Sequence, residues 1–441
     1  MDKAVDNLPE NFELSPEFSE VFNLLEQSGD HFFVTGDAGT GKSTLLKYFR
    51  KHTAKNIAVL ASTGVAAINV HGQTIHSFFK FPPRLIRAEE IHRLRNRKLL
   101  DALDAIVIDE ISMVRADVID GIDYALRLNR GKAEPFGGVQ IIMFGDLAQL
   151  PPVVESDELK KFFKSMHGTH YFFDAAIFNA VEVRYVELTK VYRQNDEEFI
   201  NILNKVKAKK ITDSELDYLN EQTCARYYSD TDGVIVLSST NAIADGLNQV
   251  RLDALGTRSF YYEAIVDGLF DEREFPTAQK LRLKSGAQVM LVRNDVKKKR
   301  WVNGTIARVS RLSESKVTIA VGDDFYDLEP EVWEKIQYSY DEQKKKIVER
   351  VVGTFTQIPL KLAWAITIHK SQGKTFDKVI IDLGYRAFTH GQVYVALSRC
   401  TGLKGVSLER PIRQSDIIFD DAACGFKKKF KKIEILDNKL L

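Results

Sequence analysis

Short apolar runs alternate with helical patterns between about residue 30 and residue 190 of the chain. The runs occupy residues 31–35, 57–62, 105–109, 140–145 and 183–188. Short, mostly apolar runs of this kind are typical of strands that are buried on both faces of a parallel sheet. Helical patterns follow several of them, beginning at residues 42–52. The alternation therefore predicts an α/β unit built on a doubly wound parallel sheet.

A second α/β unit is predicted further along the chain. It begins with a strand at residues 233–239 and a helix at 242–255. After an interruption, the pattern resumes with apolar runs at 363–369 and 378–382 and a helical segment at 391–399. The second unit is therefore expected to be split by an insertion and completed after it.

The interruption has the pattern of strands. A short apolar run at residues 287–292 precedes it, and residues 316–321 alternate between apolar and polar positions. Trp333 and a charged run at residues 341–350 follow. Alternation with a period of two is typical of half-buried antiparallel strands, so we predict a small β-rich insert between about residues 310 and 354.

The composition is that of an ordinary globular protein, with 441 residues, 44% hydrophobic and 28% charged. That length corresponds to roughly three compact units. Its three cysteines, Cys224, Cys400 and Cys424, suit neither a disulfide framework nor a metal site, which favours a reducing compartment. The first residues lack the pattern of a signal peptide, and no apolar run is as long as a membrane span. We therefore expect a cytoplasmic protein without membrane contact.

The formal net charge of +1 gives no argument for a nucleic-acid partner. A polyanion would have to bind a local basic track. The candidate tracks are residues 84–98, 297–300, 344–346 and 427–432. Taken singly, each is typical of a solvated surface rather than of a binding site.

Residues 36–43 read Gly-Asp-Ala-Gly-Thr-Gly-Lys-Ser, between an apolar strand and a helix. This is the pattern of a phosphate-binding loop, whose amides and helix N-terminus surround the phosphates of a nucleotide. Lys42 is expected to reach the β and γ phosphates, and the Ser43 hydroxyl to bind Mg²⁺. A chance glycine-rich turn is the alternative, and the strand–loop–helix context argues against it. The predicted nucleotide-binding residues are Gly36, Asp37, Ala38, Gly39, Thr40, Gly41, Lys42, Ser43 and Thr44.

Two further polar groups follow predicted strands. Asp109 and Glu110 end the run at 105–109, where ligands of such sheets bind. We assign Asp109 to the Mg²⁺ ion and Glu110 to the base that polarises the attacking water. Gln149 follows the run at 140–145, where its amide can contact the γ-phosphate or its water. The alternatives are an acidic surface turn for the pair and a proline-stopped loop for Gln149.

Phosphoryl transfer is accelerated by an arginine placed on the γ-phosphate. Arg193, in Leu-Thr-Lys-Val-Tyr-Arg-Gln, and Arg399, in Tyr-Val-Ala-Leu-Ser-Arg-Cys, are the candidates. Each by itself fits an ordinary salt bridge as well. Together, on a second α/β unit, they predict a cleft that closes on ATP.

The order of these motifs resembles that of the superfamily-one helicases. Ala-Ile-Thr-Ile-His-Lys-Ser-Gln-Gly at 365–373 completes the set. Four further segments, at residues 60–67, 72–78, 135–140 and 387–399, are similar to the petite-integration-frequency (PIF) family, which is related to RecD. The resemblance extends from about residue 14 to residue 410.

The resemblance implies two RecA-like P-loop domains with parallel sheets, a small wedge insert in the first and a small β-barrel insert in the second. On this sequence the first domain is expected at 1–180, with its wedge at 78–100. The second is expected at 181–310 and 355–441, with its barrel at 311–354. The implied activity is ATP- and Mg²⁺-dependent 5′→3′ movement of a monomer on single-stranded DNA, with unwinding at duplex junctions and of G-quadruplex DNA.

The resemblance also implies roles for particular residues. Arg193 and Arg399 match the arginine fingers of the family, and Gly373 and Lys374 match positions near the γ-phosphate. Hydroxyls and amides that bind DNA phosphates neutrally would explain the low net charge. The implied DNA-binding residues are Thr63, Gly64, His76, Phe78, Thr240, Asn241, Thr367, His369, Lys370 and Ser371. For Phe78, base stacking and burial in the core of the wedge remain equal alternatives.

One position departs from the family. Its members carry a glutamine that reads adenine in a Leu-Ser-x-Glu-Gln pattern, whereas this chain has Leu-Ser-Pro-Glu-Phe ending at Phe18. How this pocket selects its base is therefore open, and Phe18 is expected in the core of the first helix.

Two other functions would explain part of this set of motifs. A nucleotide-switch ATPase that loads or remodels proteins would have the phosphate loop and the acidic pair, but would not need the motif at 365–373. A DNA-binding module with vestigial ATPase motifs would not need Lys42, Glu110 and both arginines intact. DNA-stimulated ATPase activity distinguishes a helicase from both.

Overall fold

The computed structural model describes residues 12–435, apart from residues 83, 95–96, 155, 195, 225–232, 296–297, 299 and 315. The first residues of the chain, and parts of the basic tracks at 84–98 and 297–300, lie outside the described residues.

Strands make up most of the regular structure after residue 256 and form the centre of both α/β units. The strands are β1 His31–Gly36, β2 Ile57–Ala61, β3 Gln73–Thr74, β4 Ala105–Asp109, β5 Gln140–Phe144, β6 Val183–Leu188, β7 Ile235–Ser238, β8 Ser259–Glu263, β9 Ile265–Gly268, β10 Lys280–Lys284, β11 Gln288–Leu291, β12 Ile306–Leu312, β13 Val317–Val321, β14 Asp324–Leu328, β15 Glu331–Asp341, β16 Lys346–Gln357, β17 Leu360–Leu362, β18 Ala365–Thr367, β19 Val379–Asp382, β20 Val406–Leu408 and β21 Lys431–Lys432.

Helices connect the strands of the two parallel sheets. They are α1 Pro16–Gln27, α2 Lys42–His52, α3 Gly64–Asn69, α4 Ile75–Phe79, α5 Arg97–Asp101, α6 Ala116–Arg130, α7 Asp157–Met166, α8 Glu197–Lys207, α9 Asp213–Cys224, α10 Asn241–Ala254, α11 Gln392–Leu397 and α12 Phe426–Lys429. None of these helices has both the length and the apolar character needed to cross a membrane, in the part of the chain that is described.

The first unit contains a seven-stranded parallel sheet in the order β21-β6-β1-β5-β4-β2-β3. Its central strands are apolar throughout because both faces are covered. Leu45, Leu46 and Phe49 of α2 pack on one face. Ile119 and Ile122 of α6 belong to the core on the other face. The predicted doubly wound unit is confirmed, and the helix predicted at 42–52 has those bounds.

The second unit has a four-stranded parallel sheet in the order β18-β7-β19-β20. Strands β7 and β18 are adjacent although about 125 residues of helix and antiparallel sheet separate them in the chain. The interruption and resumption predicted from the sequence are therefore confirmed.

The first unit does not end at residue 180, where its boundary was expected, and it also includes the last described strand of the chain. Strand β6 pairs with β1 over its whole length, so the first unit continues through Leu188. Strand β21 then pairs with β6, and Phe426 and Phe430 enter the first core. The chain therefore returns to the first unit after completing the second. An apolar run predicts a strand but does not identify the sheet that the strand joins. The expected boundary at residue 180 was wrong for this reason.

The insert is larger than the expected 311–354. Antiparallel pairing begins at β8 and ends at β17, in sheets ordered β14-β13-β12-β11-β17, β15-β16-β9 and β10-β8. Leu283, Val289 and Val309 fall within the span expected for the second α/β unit, but they share one apolar core with Val317 and Leu328. The prediction recognised the alternating strands but missed the buried ones that complete the same core.

The long hairpin β15–β16 contacts the first unit. The Tyr338 hydroxyl accepts a hydrogen bond of 3.1 Å from the Val59 amide of β2. Glu349 forms an ion pair of 2.6 Å with Arg50 of α2. The Tyr338 ring packs 6.0 Å from the ring of Phe78. The hairpin thereby bridges the insert of the second unit to the first sheet.

The segment at 78–100 packs on α6 rather than forming a separate core. Phe81 and Ile86 are buried in the same apolar cluster as Ile122. The Ile86 amide donates a hydrogen bond of 2.9 Å to the Asp117 carboxylate at the start of α6. This segment is therefore an extension of the first core.

We predict that Phe426→Ala destabilises the first unit. The Phe426 ring packs 5.2 Å from the rings of Phe33 and Tyr185, and removing a buried phenylalanine costs about 3–5 kcal/mol. The midpoint of thermal unfolding should fall by several degrees. Lys428→Ala, an exposed change in the same helix, is the control and should leave the midpoint unchanged. Equal midpoints for both variants would contradict the return of the chain to the first core.

Candidate active site

The loop between β1 and α2 wraps back on its own lysine. The Lys42 amine donates hydrogen bonds of 2.6 Å to the Gly36 carbonyl and 2.9 Å to the Asp37 carbonyl. Gly39 and Gly41 have φ of +90° and +84°, which disfavours other residues. A methyl group on Gly41 would also lie 2.8 Å from the Phe18 ring. The hydrogen bonds of Lys42 and the packing of Phe18 therefore hold the loop in a concave conformation that suits an anion.

Burial lowers the pKa of Lys42, and the carboxylates of Asp146, Glu110 and Asp37 oppose that effect. The Asp37 side chain forms an ion pair with Lys207 of α8, across the boundary between the units. The loop thus presents the half-buried Lys42 amine to its own concave face.

The acidic pair lies at the carboxyl end of β4, as predicted. Burial, and then the charge of Glu110, raise the pKa of Asp109 to about 7. Burial also raises the pKa of Glu110. Glu110 has φ +49°, a left-handed conformation that costs free energy for a residue other than glycine. This local strain is of the kind found where a side chain is held in a functional orientation.

The arginine wall comes from the second unit and from the segment after β6. Arg399 is fully buried, and its guanidinium donates to the Val395 carbonyl at 2.9 Å and the Ser371 carbonyl at 3.3 Å. The Arg193 guanidinium donates to the Ser398 carbonyl at 3.3 Å. Burial, and then the charge of Arg193, lower the pKa of Arg399 to about 9. No carboxylate forms an ion pair with either guanidinium in the described chain.

Gln149 connects the two units. Its amide nitrogen donates a hydrogen bond of 2.9 Å to Asp146 of the first unit. Its amide oxygen accepts one of 3.3 Å from Gln372 of the second unit. A side chain with one partner on each side can respond to movement between them.

A close contact joins α11 to the Gln149 loop. Gly391 has φ +71°, and a methyl group there would lie 2.3 Å from the Ala148 carbonyl oxygen. Three residues later, the Tyr394 hydroxyl accepts a hydrogen bond of 3.0 Å from the Ala38 amide of the phosphate loop. The start of α11 is therefore fitted against the phosphate loop of the other unit.

These groups surround one cleft with a volume of about 500 Å³. It is lined by Ala38, Gly39, Gly41, Lys42, Ser43, Thr44, Glu110, Gln149, Tyr192, Arg193, Gly373, Thr375 and Arg399. Every one of the five residues predicted to be catalytic lies there. The prediction missed Tyr192, Thr375, Asp146 and Tyr394. Tyr192 and Tyr394 lie in the same motifs as Arg193 and Arg399, and that position in the sequence could have identified them.

Lys374 is placed differently from the expectation. Its amine donates a hydrogen bond of 2.7 Å to the Asn303 side chain, so it points toward the insert and not into the cleft. Burial and the neighbouring Lys361 lower its pKa to about 8. Gly373 and Thr375 line the cleft instead.

Phe18 is in the core, as expected. It is 3% exposed and lies against Gly41, with its ring 6.2 Å from that of Tyr192 at the mouth of the cleft. An apolar ring at this position supports the phosphate loop by packing and offers no hydrogen bond to a nucleobase.

The oxygen ligands suit a hard divalent cation. Ser43 lines the cleft with its side chain exposed, and Asp109 ends strand β4, which is separated from β1 by β5 in the same sheet. Hydroxyl and carboxylate oxygens are the protein ligands that Mg²⁺ uses beside phosphates and water. The raised pKa of Asp109 reflects burial that a cation would offset.

The residues implied to bind DNA fall at the carboxyl ends of strands in both sheets. Thr63 follows β2 and caps α3 by accepting from the Ala66 amide at 3.2 Å. Thr240 follows β7 and caps α10 by accepting from the Ile243 amide at 3.4 Å. Thr63, Thr240, Asn241 and Lys370 are exposed, whereas Gly64, His76 and His369 are half-buried. Burial lowers the pKa of His76 and of His369.

Three of these residues do not present side chains to solvent. Phe78 is buried between Phe79 and Tyr338, so the core alternative is correct and the ring is not available to stack on a base. The Ser371 hydroxyl is buried and donates to the Ile368 carbonyl at 2.7 Å. Thr367 is buried and accepts from the Lys370 amide at 3.2 Å. Ser371 and Thr367 shape the loop after β18 from inside.

Two family models match the chain. One described as PIF1-like helicase matches residues 13–217, and one described as DNA helicase Pif1, 2B domain, matches residues 272–312. The second match begins well before residue 311, in agreement with the larger insert. The Pif1 ATP-dependent DNA helicase of Bdellovibrio bacteriovorus is 33% identical over 435 residues, covering 95% of this chain and 92% of that protein.

A vertebrate relative is longer than this chain. The PIF1 ATP-dependent DNA helicase of Xenopus laevis is 35% identical over 422 residues, which cover 92% of this chain and 62% of the relative. Among solved structures, Bacteroides sp Pif1 in complex with ADP-AlF4 has a TM-score of 0.87 at 38% identity, covering 95% of this chain and 97% of that one. The Bacteroides protein bound to single-stranded DNA has a TM-score of 0.69.

We predict that Gly391→Ala opens the cleft. The added methyl group would meet the Ala148 carbonyl oxygen, so the start of α11 must move away from the Gln149 loop. Affinity for a fluorescent nucleoside triphosphate should fall by about tenfold or more, measured by equilibrium titration. Gly246→Ala is the matched control, because Gly246 lies within α10 with open space around it. Wild-type affinity in Gly391→Ala would show that this contact does not set the cleft.

Proposed function

The chain belongs to the PIF1-like helicase family, and from that premise we propose that it is an ATP-dependent DNA helicase that translocates on single-stranded DNA. Its fold consists of two RecA-like domains, which are the two parallel-sheet units described above. The observation that carries the proposal is the cleft: Lys42 and Glu110 of the first domain face Arg193 and Arg399 across a space sized for a nucleotide.

We assign ATP binding to the first domain. The amides of the phosphate loop and the Lys42 amine hold the β and γ phosphates, and Lys42 exchanges its two carbonyl partners for phosphate oxygens. Ser43 and Asp109 hold Mg²⁺, which neutralises phosphate charge when it is bound. Tyr192 offers a ring at the mouth of the cleft, next to Phe18, for the base.

We assign hydrolysis to groups from both domains. Glu110 accepts the proton of the attacking water, and a pKa raised by burial suits a base that works near neutral pH. Gln149 orients that water from its position between Asp146 and Gln372. Arg193 and Arg399 stabilise the charge on the γ-phosphate. Arg399 and Arg193 would gain an anionic partner when ATP closes the cleft, which would couple hydrolysis to domain closure.

The DNA would lie across the carboxyl edges of both sheets. Thr63 and Gly64 form the grip of the first domain, and Thr240, Asn241, His369 and Lys370 form that of the second. Because the grips lie at the carboxyl edges of the same two sheets whose loops line the cleft, closure around ATP would move them toward each other. We propose 5′→3′ movement, unwinding at duplex junctions and of G-quadruplex DNA, and a monomeric motor, on the family resemblance.

Glu110→Gln should retain ATP binding and lose hydrolysis. Removing a general base lowers kcat by about 10²–10⁴-fold, and the amide keeps the size of the side chain. ATPase turnover with saturating single-stranded DNA is the measurement. Glu221→Gln, an exposed change in α9, is the control. Turnover at the wild-type rate in Glu110→Gln would remove Glu110 from the mechanism.

Arg399→Ala should bind ATP nearly as the wild type does but hydrolyse it about 10³–10⁵-fold more slowly, because the transition-state charge loses its partner. Binding and turnover are measured separately, and the thermal midpoint shows whether the fold is retained. Arg293→Ala, on the insert and away from the cleft, is the control. Normal turnover in Arg399→Ala would contradict its assignment.

Unwinding should require ATP and a 5′ single-stranded tail. The assay compares substrates with a 5′ tail, a 3′ tail and a G-quadruplex, with and without ATP. Unwinding is expected from the 5′ tail and of the quadruplex. Equal unwinding from the 3′ tail would overturn the proposed polarity, and ATPase activity that DNA does not stimulate would favour a nucleotide-switch ATPase acting on proteins.

A further inference from the structure

The loop between β19 and α11 exposes two aromatic rings. Tyr385 is 87% exposed and Phe388 is 55% exposed, three residues apart. Exposed Arg386 and Arg413 stand beside them. We call these four residues the aromatic patch. They border a depression of about 410 Å³ that is completed by Ala387, Ser415 and Ile418, so no carboxylate lines it.

The backbone that carries the patch is fixed. Asp416 accepts a hydrogen bond of 3.0 Å from the Ala387 amide and forms an ion pair of 2.7 Å with Arg410. Arg410 in turn donates to the Gly384 carbonyl at 2.7 Å. Asp416, an acid beside the patch, is thus buried and already paired with Arg410. The rings are exposed from an ordered loop, which is the condition for a preformed binding surface.

The patch continues the DNA grip of the second domain. Strands β18, β7 and β19 are adjacent and parallel, so their carboxyl ends lie in a row along one edge. Lys370 follows β18, and Thr240 and Asn241 follow β7. Of the patch, Tyr385, Arg386 and Phe388 follow β19, and Arg413 follows β20, the next strand in the row. The Ser239 amide donates to the Asp382 carbonyl at 3.1 Å, and a methyl group on Gly384 would lie 3.5 Å from the Ser239 hydroxyl.

We propose that the aromatic patch is a further binding site for single-stranded DNA, beyond the grip formed by Thr240, Asn241 and Lys370. Bases stack on Tyr385 and Phe388, and phosphates pair with Arg386 and Arg413. Aromatic rings beside cations without acids are the chemistry by which proteins hold single strands without sequence preference. The site lies on the side of the grip away from β18, so it lengthens the DNA footprint. This inference rests on the proposed function.

The charge of the patch favours a polyanion over a protein partner or a second copy of this chain. The chain as a whole is nearly neutral, at +1, whereas the patch has two exposed arginines and no carboxylate in its lining. The row of strand ends also leads to the patch from residues already assigned to DNA. A protein surface would explain the exposed rings but not this continuity.

The test compares Tyr385→Ala/Phe388→Ala with the wild type on oligo(dT) of increasing length, by fluorescence anisotropy. Wild-type affinity should rise further once the oligonucleotide extends past the two grips, and the variant should lose that rise. Loss of both rings should weaken binding to long oligonucleotides by about tenfold or more and leave short ones unchanged. Tyr385→Phe/Phe388→Tyr, which keeps both rings, should bind like the wild type.

The matched control is Tyr261→Ala/Phe325→Ala. These rings are 55% and 62% exposed, on strands β8 and β14 of the insert, and the changes remove the same two ring types. The control should bind both lengths as the wild type does. The thermal midpoint of each variant reports whether it folds, and substitutions at exposed positions are expected to leave it unchanged.

The arginines give an independent measurement. Arg386→Ala/Arg413→Ala should reduce the slope of log affinity against log salt by about 1.4 on long oligonucleotides, at roughly 0.7 for each phosphate contact to a single strand. An unchanged slope would remove the arginines from the site.

The remaining outcomes are distinct. Equal binding by the ring variant and the wild type at every length overturns the inference and leaves the proposed function intact. If the ring variant loses affinity equally at all lengths, the rings belong to the central DNA contact and not to an extension of it. If the wild type forms a dimer in sedimentation that the ring variant does not form, the patch is an interface between two copies of the chain. Either result overturns the inference. Failure of the wild type to bind any oligonucleotide overturns the proposed function itself.

Discussion

The buried Arg399 and the half-buried Arg193, neither of which forms an ion pair with a carboxylate among the described residues, set the constraint on which the cleft depends. Burying an unpaired charge is costly, and the pKa of Arg399, lowered to about 9, expresses that cost. The protein meets part of it with carbonyl oxygens, from Ser371 and Val395 to Arg399 and from Ser398 to Arg193. The remaining stabilisation has to come from an anion. In the proposed function, a nucleotide contacted by both domains would supply that anion.

The contacts between the domains also hold the two walls of the cleft together. Gly391 fits against the Ala148 carbonyl because it has no side chain, and Tyr394 contacts the phosphate loop from the same short helix. Gln149 has one hydrogen-bond partner in each domain. These three contacts are hydrogen bonds or a close approach of backbone, which a ligand in the cleft can alter. In the proposed mechanism ATP would act on the separation of the domains, and the loops at the same sheet edges would transmit that movement to DNA.

Two segments outside the α/β patterns pack on the core of the first domain. The segment at 78–100 packs on α6, and the hairpin β15–β16 extends from the insert to β2 of the first sheet. The final strand pairs with β6, so both ends of the described chain belong to the first domain. This arrangement leaves the carboxyl edge of the second sheet open from β18 to β19, where the aromatic patch follows the proposed DNA grip.

The sequence by itself determined the phosphate loop, the acidic pair and the alternation of strand and helix, because each depends on neighbours within about ten residues. Its family resemblance also identified both arginines. Only the tertiary structure decided that β6 joins the first sheet, that Phe78 and Ser371 face inward, and that Lys374 turns toward Asn303. It also placed the ends of β18, β7 and β19 side by side. These outcomes depend on contacts between residues far apart in the chain, and a local pattern of apolar and polar positions does not specify which distant surface will cover a side chain.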